Sequence, residues 1–528
     1  MEMEETVARV ISEIEEFRGN HEQPPLSEQS LRDLQILLNN SLSESLYDEL
    51  PSKNLAPSAL IAPIASAMDS SPSHHSLLAS DVFLSLLLAP NAPVFTLFTP
   101  ISFLSFLRSL RRSCKAHSNP GPAQDTSQNR KRKRAGRTRA KNPQNDNDSA
   151  EISSQHDPML LLRVLEKLVR VMDFIHLDRF PETLRSLVQT VAEIPVTALD
   201  ACGNAAQYSK LLNLCSRVLR EVLKPEHGEP SNSAAEVLKS LCPLVLMAKS
   251  QARSFAIEFV TSLGDCCDGV KKALVNFPRY LVKKAPERAE PRALAVDSIM
   301  EVVRAVEVED QIAFVKYVVQ MTQGKANLRL LAVDLILNLM TSLKDPLGVG
   351  SEGSEAWGMW CLEALMKRCS DVSGAIRARA LSSLAQLVGL LSRGERTSVV
   401  LKEFLGFGNV GDGNVEGTMN DMLRRRCMDD KAAVRKAALL LVTNLTSLLG
   451  GAIDEVVLKT MGMACSDPLI SMRKAAITAL SQVVYLLFVS YGMIFFFFVH
   501  DDLFDRHECL RNEVYASFYL SSYGRILS

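Results

Sequence analysis

Signatures of catalysis are what this 528-residue chain lacks. It has no G-x-x-x-x-G-K-[ST] loop, no H-E-x-x-H pair and no G-x-S-x-G elbow. Those absences exclude the commonest layouts for nucleotide hydrolysis, zinc proteolysis and serine hydrolysis. Nine histidines are dispersed, and His74-His75 have no cysteine or carboxylate at ligand spacing, so no metal is expected. Eleven cysteines never form C-x-x-C; only Cys266 and Cys267 adjoin. Scattered thiols of this kind point to a reducing, intracellular compartment. The opening MEMEETVARVISEIEEF is acidic and amphipathic, unlike a secretory signal. No enzyme activity and no cofactor are expected.

Charge of one sign is also missing overall. The net value of −1 selects no partner, so distribution matters more than the sum. Long apolar runs are few. The Leu/Phe-rich stretch 77–107 is interrupted by Asp81, Pro90, Asn91, Pro93 and Pro100. Its pieces fall short of the roughly 20 apolar residues that a membrane span needs, so buried helices are expected there. Two glycine patterns, Gly348-x-Gly350-x-x-Gly353 and Gly406-x-Gly408-x-x-Gly411, match a dinucleotide fingerprint by letter. Neither follows a strand, so both read as loops.

What the chain does contain is a repeat. Arg253, Arg292, Arg329, Arg377, Arg435 and Arg473 are each followed three residues later by alanine, at gaps of 39, 37, 48, 58 and 38 residues. A period near 38 with two stretched gaps is what stacked helical hairpins with insertions leave behind. The stretched gaps hold glycine-rich segments, 343–356 and 404–418. In the last three repeats an aspartate (Asp371, Asp429, Asp467) precedes the arginine (Arg377, Arg435, Arg473) by six residues. Val434, Ala437, Ala438, Leu441, Leu445 and Leu448 line one helical face behind that arginine. The aspartate suits a helix-capping turn. The arginine, one turn further in, can reach an aspartate of its own or of an adjacent repeat. Trp357 and Trp360, three apart, read as packing between repeats, with a partner anchor as the rival.

The blocks CSDVSGAIRARALSSLAQLV (369–388), CMDDKAAVRKAALLLVTNL (427–445) and CSDPLISMRKAAITALSQVV (465–484) resemble the HEAT repeat, over roughly 235–484. Arg253 and Arg292 depart from the pattern: neither has the preceding aspartate, and Pro291 adjoins the second. The expected fold is an all-α HEAT-repeat α-solenoid with a helical N-terminal region and a disordered basic insert. The expected divisions are 1–112 (helical), 113–157 (basic linker), 158–484 (solenoid) and 485–528 (atypical apolar tail).

The insert is almost free of large apolar residues, a composition that cannot offset chain entropy. At its centre Arg130, Lys131, Arg132, Lys133, Arg134, Arg137, Arg139 and Lys141 put eight cations in twelve residues without an acid. Such a tract fits an importin's acidic groove and suits phosphate backbones; nuclear localisation is expected. In the tail, seventeen nearly unbroken apolar positions (483–499) leave three readings: a membrane anchor, a buried cap, or an aberrant end, the last being favoured.

Beyond generic HEAT, the layout and the block WCLEALMKRCSDVSGAIRARALSSLAQLV (360–388) resemble the amino-terminal part of the D-type HEAT subunits of condensin II, in a plant-like version. That resemblance implies a non-catalytic subunit that binds a kleisin bridging two SMC ATPases and contacts chromatin during chromosome condensation. A nuclear transport receptor and a phosphatase- or kinase-type scaffold are the alternatives. The basic tract argues against the first, and the long insertions against the second.

Overall fold

The computed structural model describes residues 2–19, 26–39, 47, 56–70, 73–115, 158–199, 202–350, 355–406, 416–449 and 455–491. Among them all regular structure is helical, with 22 α-helices, three short 3-10 turns and no strand. The chain divides into two compact units, 1–245 with 249–274, and 246–248 with 275–528. That division falls inside the stretch 158–484, which the sequence assigns to one solenoid.

The first unit contains α1 (Glu2–Gly19), α2 (Glu28–Asn39), α3 (Ile61–Asp69), α4 (Ser73–Leu88), α5 (Val94–Leu97) and α6 (Pro100–Lys115). It continues with α7 (Pro158–Val171), α8 (Pro181–Thr197), α9 (Ala205–Glu221), α10 (Pro230–Leu246) and α11 (Gln251–Ser262). The Leu/Phe-rich stretch lies within this unit. Every residue of α4 from Ser76 to Leu87 is buried, because α2, α3, α6 and α7 surround the helix. Phe83, Phe103 and Phe106 fill the space between α4 and α6. A helix with apolar residues on all sides is stable only when enclosed in this way.

Asp81 does not interrupt α4, contrary to the sequence expectation. It lies in mid-helix with its carboxylate wholly buried, 2.9 Å from Lys167 Nζ and 3.5 Å from Arg163 Nε on α7. Gln35 on α2 also donates to it. A carboxylate can occupy a helix interior in a core when a cation from a neighbouring helix neutralises it. Burial pulls the Lys167 ammonium below its usual pKa despite Asp81 beside it. Likewise α6 runs to Lys115, past residue 112, where the polar linker was expected to begin. The last turn is held by burial of Cys114 and by Arg112, whose Nη1 donates to Asp69 O at 2.8 Å.

Two helix starts in the first unit carry side-chain caps. Asn204 accepts from Gln207 N–H at 2.9 Å while the Gln207 side chain accepts from Gly203 N–H at 3.0 Å, a reciprocal cap for α9. Ser250 caps α11 through Arg253 N–H at 3.1 Å.

Helix α12 (Asp268–Lys284) crosses the division between the units. The second unit then holds α13 (Ala289–Arg304), α14 (Val308–Met321), α15 (Ala326–Ser342), α16 (Gly358–Arg368) and α17 (Gly374–Leu391). It ends with α18 (Glu395–Phe404), α19 (Glu416–Cys427), α20 (Ala432–Leu449), α21 (Glu455–Ala464) and α22 (Ile470–Tyr491). The hairpins α14/α15, α16/α17, α19/α20 and α21/α22 stack through their second helices. Small residues permit the approach of α17 to α20. Asn444 Nδ2 donates to Ala385 O at 2.7 Å, and a Cβ on Gly389 would sit 3.1 Å from that same nitrogen. Helix α20 is the only described helix long and apolar enough to cross a membrane; it lies between α17 and α22 in the stack.

The widest gap between repeats, from Arg377 to Arg435, contains an extra helix, α18, ahead of the glycine-rich segment 404–418. Helix α22 runs on to Tyr491, beyond Val484, where the repeat was expected to stop. The basic tract Arg130–Lys141 and the tail from 492 lie outside the described residues.

Candidate functional site

The repeat arginines and aspartates form one construction, repeated along the second unit. The aspartate sits in the turn between the two helices of a hairpin and closes that turn with its own carboxylate. Asp371 Oδ1 accepts from Ser373 N–H at 2.9 Å, Asp429 Oδ1 from Lys431 N–H at 3.1 Å, and Asp467 Oδ1 from Leu469 N–H at 2.9 Å. The arginine of the same hairpin turns one nitrogen back to the aspartate's main-chain carbonyl. Arg377, Arg435 and Arg473 Nη1 donate to Asp371, Asp429 and Asp467 O at 3.0, 2.9 and 2.8 Å.

The rest of the guanidinium points forward to the aspartate of the following repeat. Arg329 meets Asp371 through Nε at 2.9 Å and Nη2 at 3.0 Å, and Arg377 meets Asp429 at 2.8 and 2.7 Å. Arg435 places Nε and Nη2 2.8 and 2.7 Å from Asp467 Oδ2. The two-nitrogen fork fixes orientation as well as charge, a geometry that lysine cannot supply. Arg368 and Arg426, each three residues before a turn aspartate, complete those carboxylates at 3.0 and 2.8 Å.

This is a buried network. The side chains of Asp371 and Asp429 are 1% and 3% exposed, those of Arg329 and Arg377 16% and 11%. Burial alone would push both carboxyls up. The hydrogen bonds from Arg329 and Ser373 N–H, and from Arg377 and Lys431 N–H, win and hold them below the usual carboxylate range. The Arg377 guanidinium is raised correspondingly by its bond to Asp429.

Arg292, which lacks the preceding aspartate, still belongs to the construction. Its Nη1 donates to Glu287 O at 2.6 Å and its Nε to Asp334 Oδ2 at 2.9 Å. Asp334 lies inside α15 rather than in a turn, and it also pairs with Arg379 of α17. The two arginines of the Arg377-Ala-Arg379 sequence therefore act in opposite directions, Arg377 forward to Asp429 and Arg379 back to Asp334.

The residues weighed for chemistry have other occupations. Asp345 accepts from Val349 N–H at 2.8 Å and from Gly350 N–H at 3.0 Å, so these amides of the first glycine pattern already face a carboxylate instead of presenting themselves to a phosphate. Gly353, Gly408 and Gly411 lie outside the described residues. Among the described residues no group of three or more His, Cys, Asp or Glu is arranged to hold a metal ion. Burial pushes the thiols of Cys361, Cys369 and Cys427 up to about 12, far from the thiolate that a nucleophile requires. Trp357 is buried at the start of α16, while the Trp360 ring carries Lys316 Nζ of α14 at 4.9 Å from its centroid. Arg279 lies over Tyr317 in the same manner, at 5.4 Å. The Lys316–Trp360 contact joins the first helices of two successive hairpins, and the Arg279–Tyr317 contact ties α12 to α14.

Stacked hairpins tied by arginines, three of which reach the aspartate of the next turn, define a HEAT-type α-solenoid. Within that class the chain resembles the condensin-2 subunit CAP-D3. It is 47% identical over 461 residues to the Arabidopsis thaliana protein of that name, covering 85% of this chain and 35% of that one. The Xenopus laevis condensin-2 subunit D3-L is 24% identical over 320 residues, covering 51% of this chain and 21% of its own. The Mus musculus subunit D3 is 22% identical over 454 residues, with 70% and 30% covered. The chain thus spans about a third or less of the curated relatives it matches. No protein-family model matches it. Two solved structures share a loose helical likeness. The Pds5–Scc1 complex has a TM-score of 0.42 at 11% identity, covering 87% of this chain and 61% of that one. Kap121p bound to Pho4p has a TM-score of 0.36 at 11% identity, with 93% and 45% covered.

Proposed function

We propose that the chain is a non-catalytic HEAT scaffold of condensin II, acting in mitotic and meiotic chromosome condensation by binding a kleisin, and through it the SMC ATPases, and by contacting chromatin. The observation that carries this reading is the 47% identity to the plant CAP-D3 subunit, sustained over 461 residues. The physical character of the second unit agrees with it. Its polar network is committed to holding repeats in register, which leaves solenoid surfaces free for macromolecular partners. Contact with DNA would run through phosphates without sequence preference. The tract Arg130, Lys131, Arg132, Lys133, Arg134, Arg137, Arg139 and Lys141 would engage importin and bring the chain to the nucleus and chromosomes.

A fluorescent fusion of the full chain, followed through division, tests the reading. It should concentrate on chromosomes as they condense. A signal that stays diffuse through mitosis, or never leaves the cytoplasm, contradicts it.

A further inference from the structure

The first unit carries a groove between α9 and α11, about 460 Å³ in volume. Its origin lies in a departure from the repeat. The place that Arg253 holds in α11 is taken in α9 by Gln207, each three residues after its capping side chain. Gln207 is spent on its own helix, where it accepts from Gly203 N–H at 3.0 Å. Helices α9 and α11 stand further apart than α17 and α20 do. They are tied at their C-terminal ends, where Arg220 Nη2 donates to Ser262 Oγ at 2.8 Å and the guanidinium lies 5.5 Å from the Phe259 ring centroid.

The walls of the groove are polar and unspent. Ser209, Asn213 and Ser216 line it from α9, at offsets of 4 and 7 residues, and Gln251, Ser254 and Glu258 from α11, at offsets of 3 and 7. All but the half-buried Ser216 are exposed. None of these six side chains makes a hydrogen bond or ion pair among the described residues. Buried Phe255 and Phe259 supply an apolar floor. From Ser209 to Arg220 the α9 wall runs about 16 Å at 1.5 Å per residue. That is room for about five residues of extended chain at roughly 3.3 Å each.

We propose that this groove is a docking site for an extended peptide segment of a partner protein, with a lysine or arginine opposite Glu258. Hydroxyl and amide side chains at every turn of both walls offer donors and acceptors, matching the N–H and C=O groups of an extended main chain. Alternate side chains of such a segment point to opposite faces, so one set meets the phenylalanine floor. Arg220 is already engaged by Ser262 and Phe259, which leaves Glu258 as the groove's unpaired charge. A free carboxylate in mid-groove attracts a cation and repels a phosphate backbone, so a peptide fits here and a nucleic acid does not.

The test is selection of a phage-displayed library of short random peptides on the full chain, with anisotropy titration of the labelled winners. They should share a lysine or arginine at one position, and Asn213→Ala and Glu258→Ala should each weaken them about tenfold. Selection on Glu258→Lys should replace that cation by aspartate or glutamate. Glu182→Ala, on α8 and outside the groove, should bind as the parent does. Asn213 and Glu258 are exposed, so the variants should keep the parent's helical signal and melting. The proposal fails if no winner binds more tightly than roughly 1 mM, if the winners ignore both alanine substitutions, or if Glu258→Lys still selects cations. A dimer of the full chain that Glu258→Lys dissociates would assign the groove to a second copy and overturn it as well.

Discussion

Asp429→Ala removes one of the two most heavily used turn carboxylates in the second unit, Asp371 receiving the same four bonds from Arg329, Arg368 and Ser373 N–H. Wild-type Asp429 receives two bonds from Arg377, one from Arg426 and one from Lys431 N–H. Its loss strands two guanidinium groups whose side chains are only 11% and 19% exposed. Deleting one partner of a buried, hydrogen-bonded ion pair costs about 3–5 kcal/mol, against about 0–1 for a surface pair. Both arginines keep some access to water, and Arg377 retains its bonds to Asp371 O and to Asp430, so the lower end, about 3 kcal/mol, is the expected cost. Urea unfolding of the full chain, with hydrogen exchange to locate the loss, measures it. Because a repeat stack transmits stability through neighbouring interfaces, protection should fall first in α17 and α20. Glu182→Ala is the control: it removes the exposed Arg185 pair, whose side chains are 46% and 78% exposed. An equal loss from both substitutions, or protection falling uniformly along the chain, would refute the reasoning.

Acid should loosen the same network. Asp371 and Asp429 have folded pKa values below their ordinary ones, so their contribution is fully present above the unfolded value of about 4 and is lost as pH falls through the lower folded values. Melting of the second unit, followed from neutral pH down to about 2.5, should fall more steeply in the parent than in an Asp371→Asn/Asp429→Asn variant; parallel profiles would contradict this. In the first unit, Lys167→Met strands the buried Asp81 carboxylate and should cost about 3–5 kcal/mol, whereas Asp81→Leu combined with it should recover most of that loss; both are read by chemical denaturation. Replacing Lys131, Arg132, Lys133 and Arg134 with alanine should leave a fluorescent fusion cytoplasmic, and persistent nuclear signal would mean import by another route.

The hairpin stack was legible because its two signals are local. Apolar residues recur at helical spacing behind each arginine, and the aspartate stands at a fixed distance before it. The direction of the pairing was not legible. Asp429 is six residues from Arg435 and 52 from Arg377, and sequence distance favours the nearer partner. The fold gives the near arginine the main-chain carbonyl and the far one the carboxylate. Asp334 and Asp81 were hidden for a related reason. A charge inside an apolar helix reads as an interruption or a solvated face until the neighbouring helix that carries its cation is in place, as Lys167 and Arg379 are here. The extra helix α18 was missed because it is only ten residues long and carries neither the arginine nor the aspartate of the repeat at its spacing, with Leu401 its one buried apolar side chain. Partner surfaces had no such local signature, and the condensin resemblance rested on residue order across 360–388 rather than on any group that performs chemistry.

The most direct test of the scaffold reading is affinity capture of the tagged full chain from dividing cells, with the bound proteins identified by mass spectrometry. The account predicts SMC ATPases and a kleisin in stoichiometric amounts. Recovery of importins alone, or of a phosphatase catalytic subunit in their place, would contradict it.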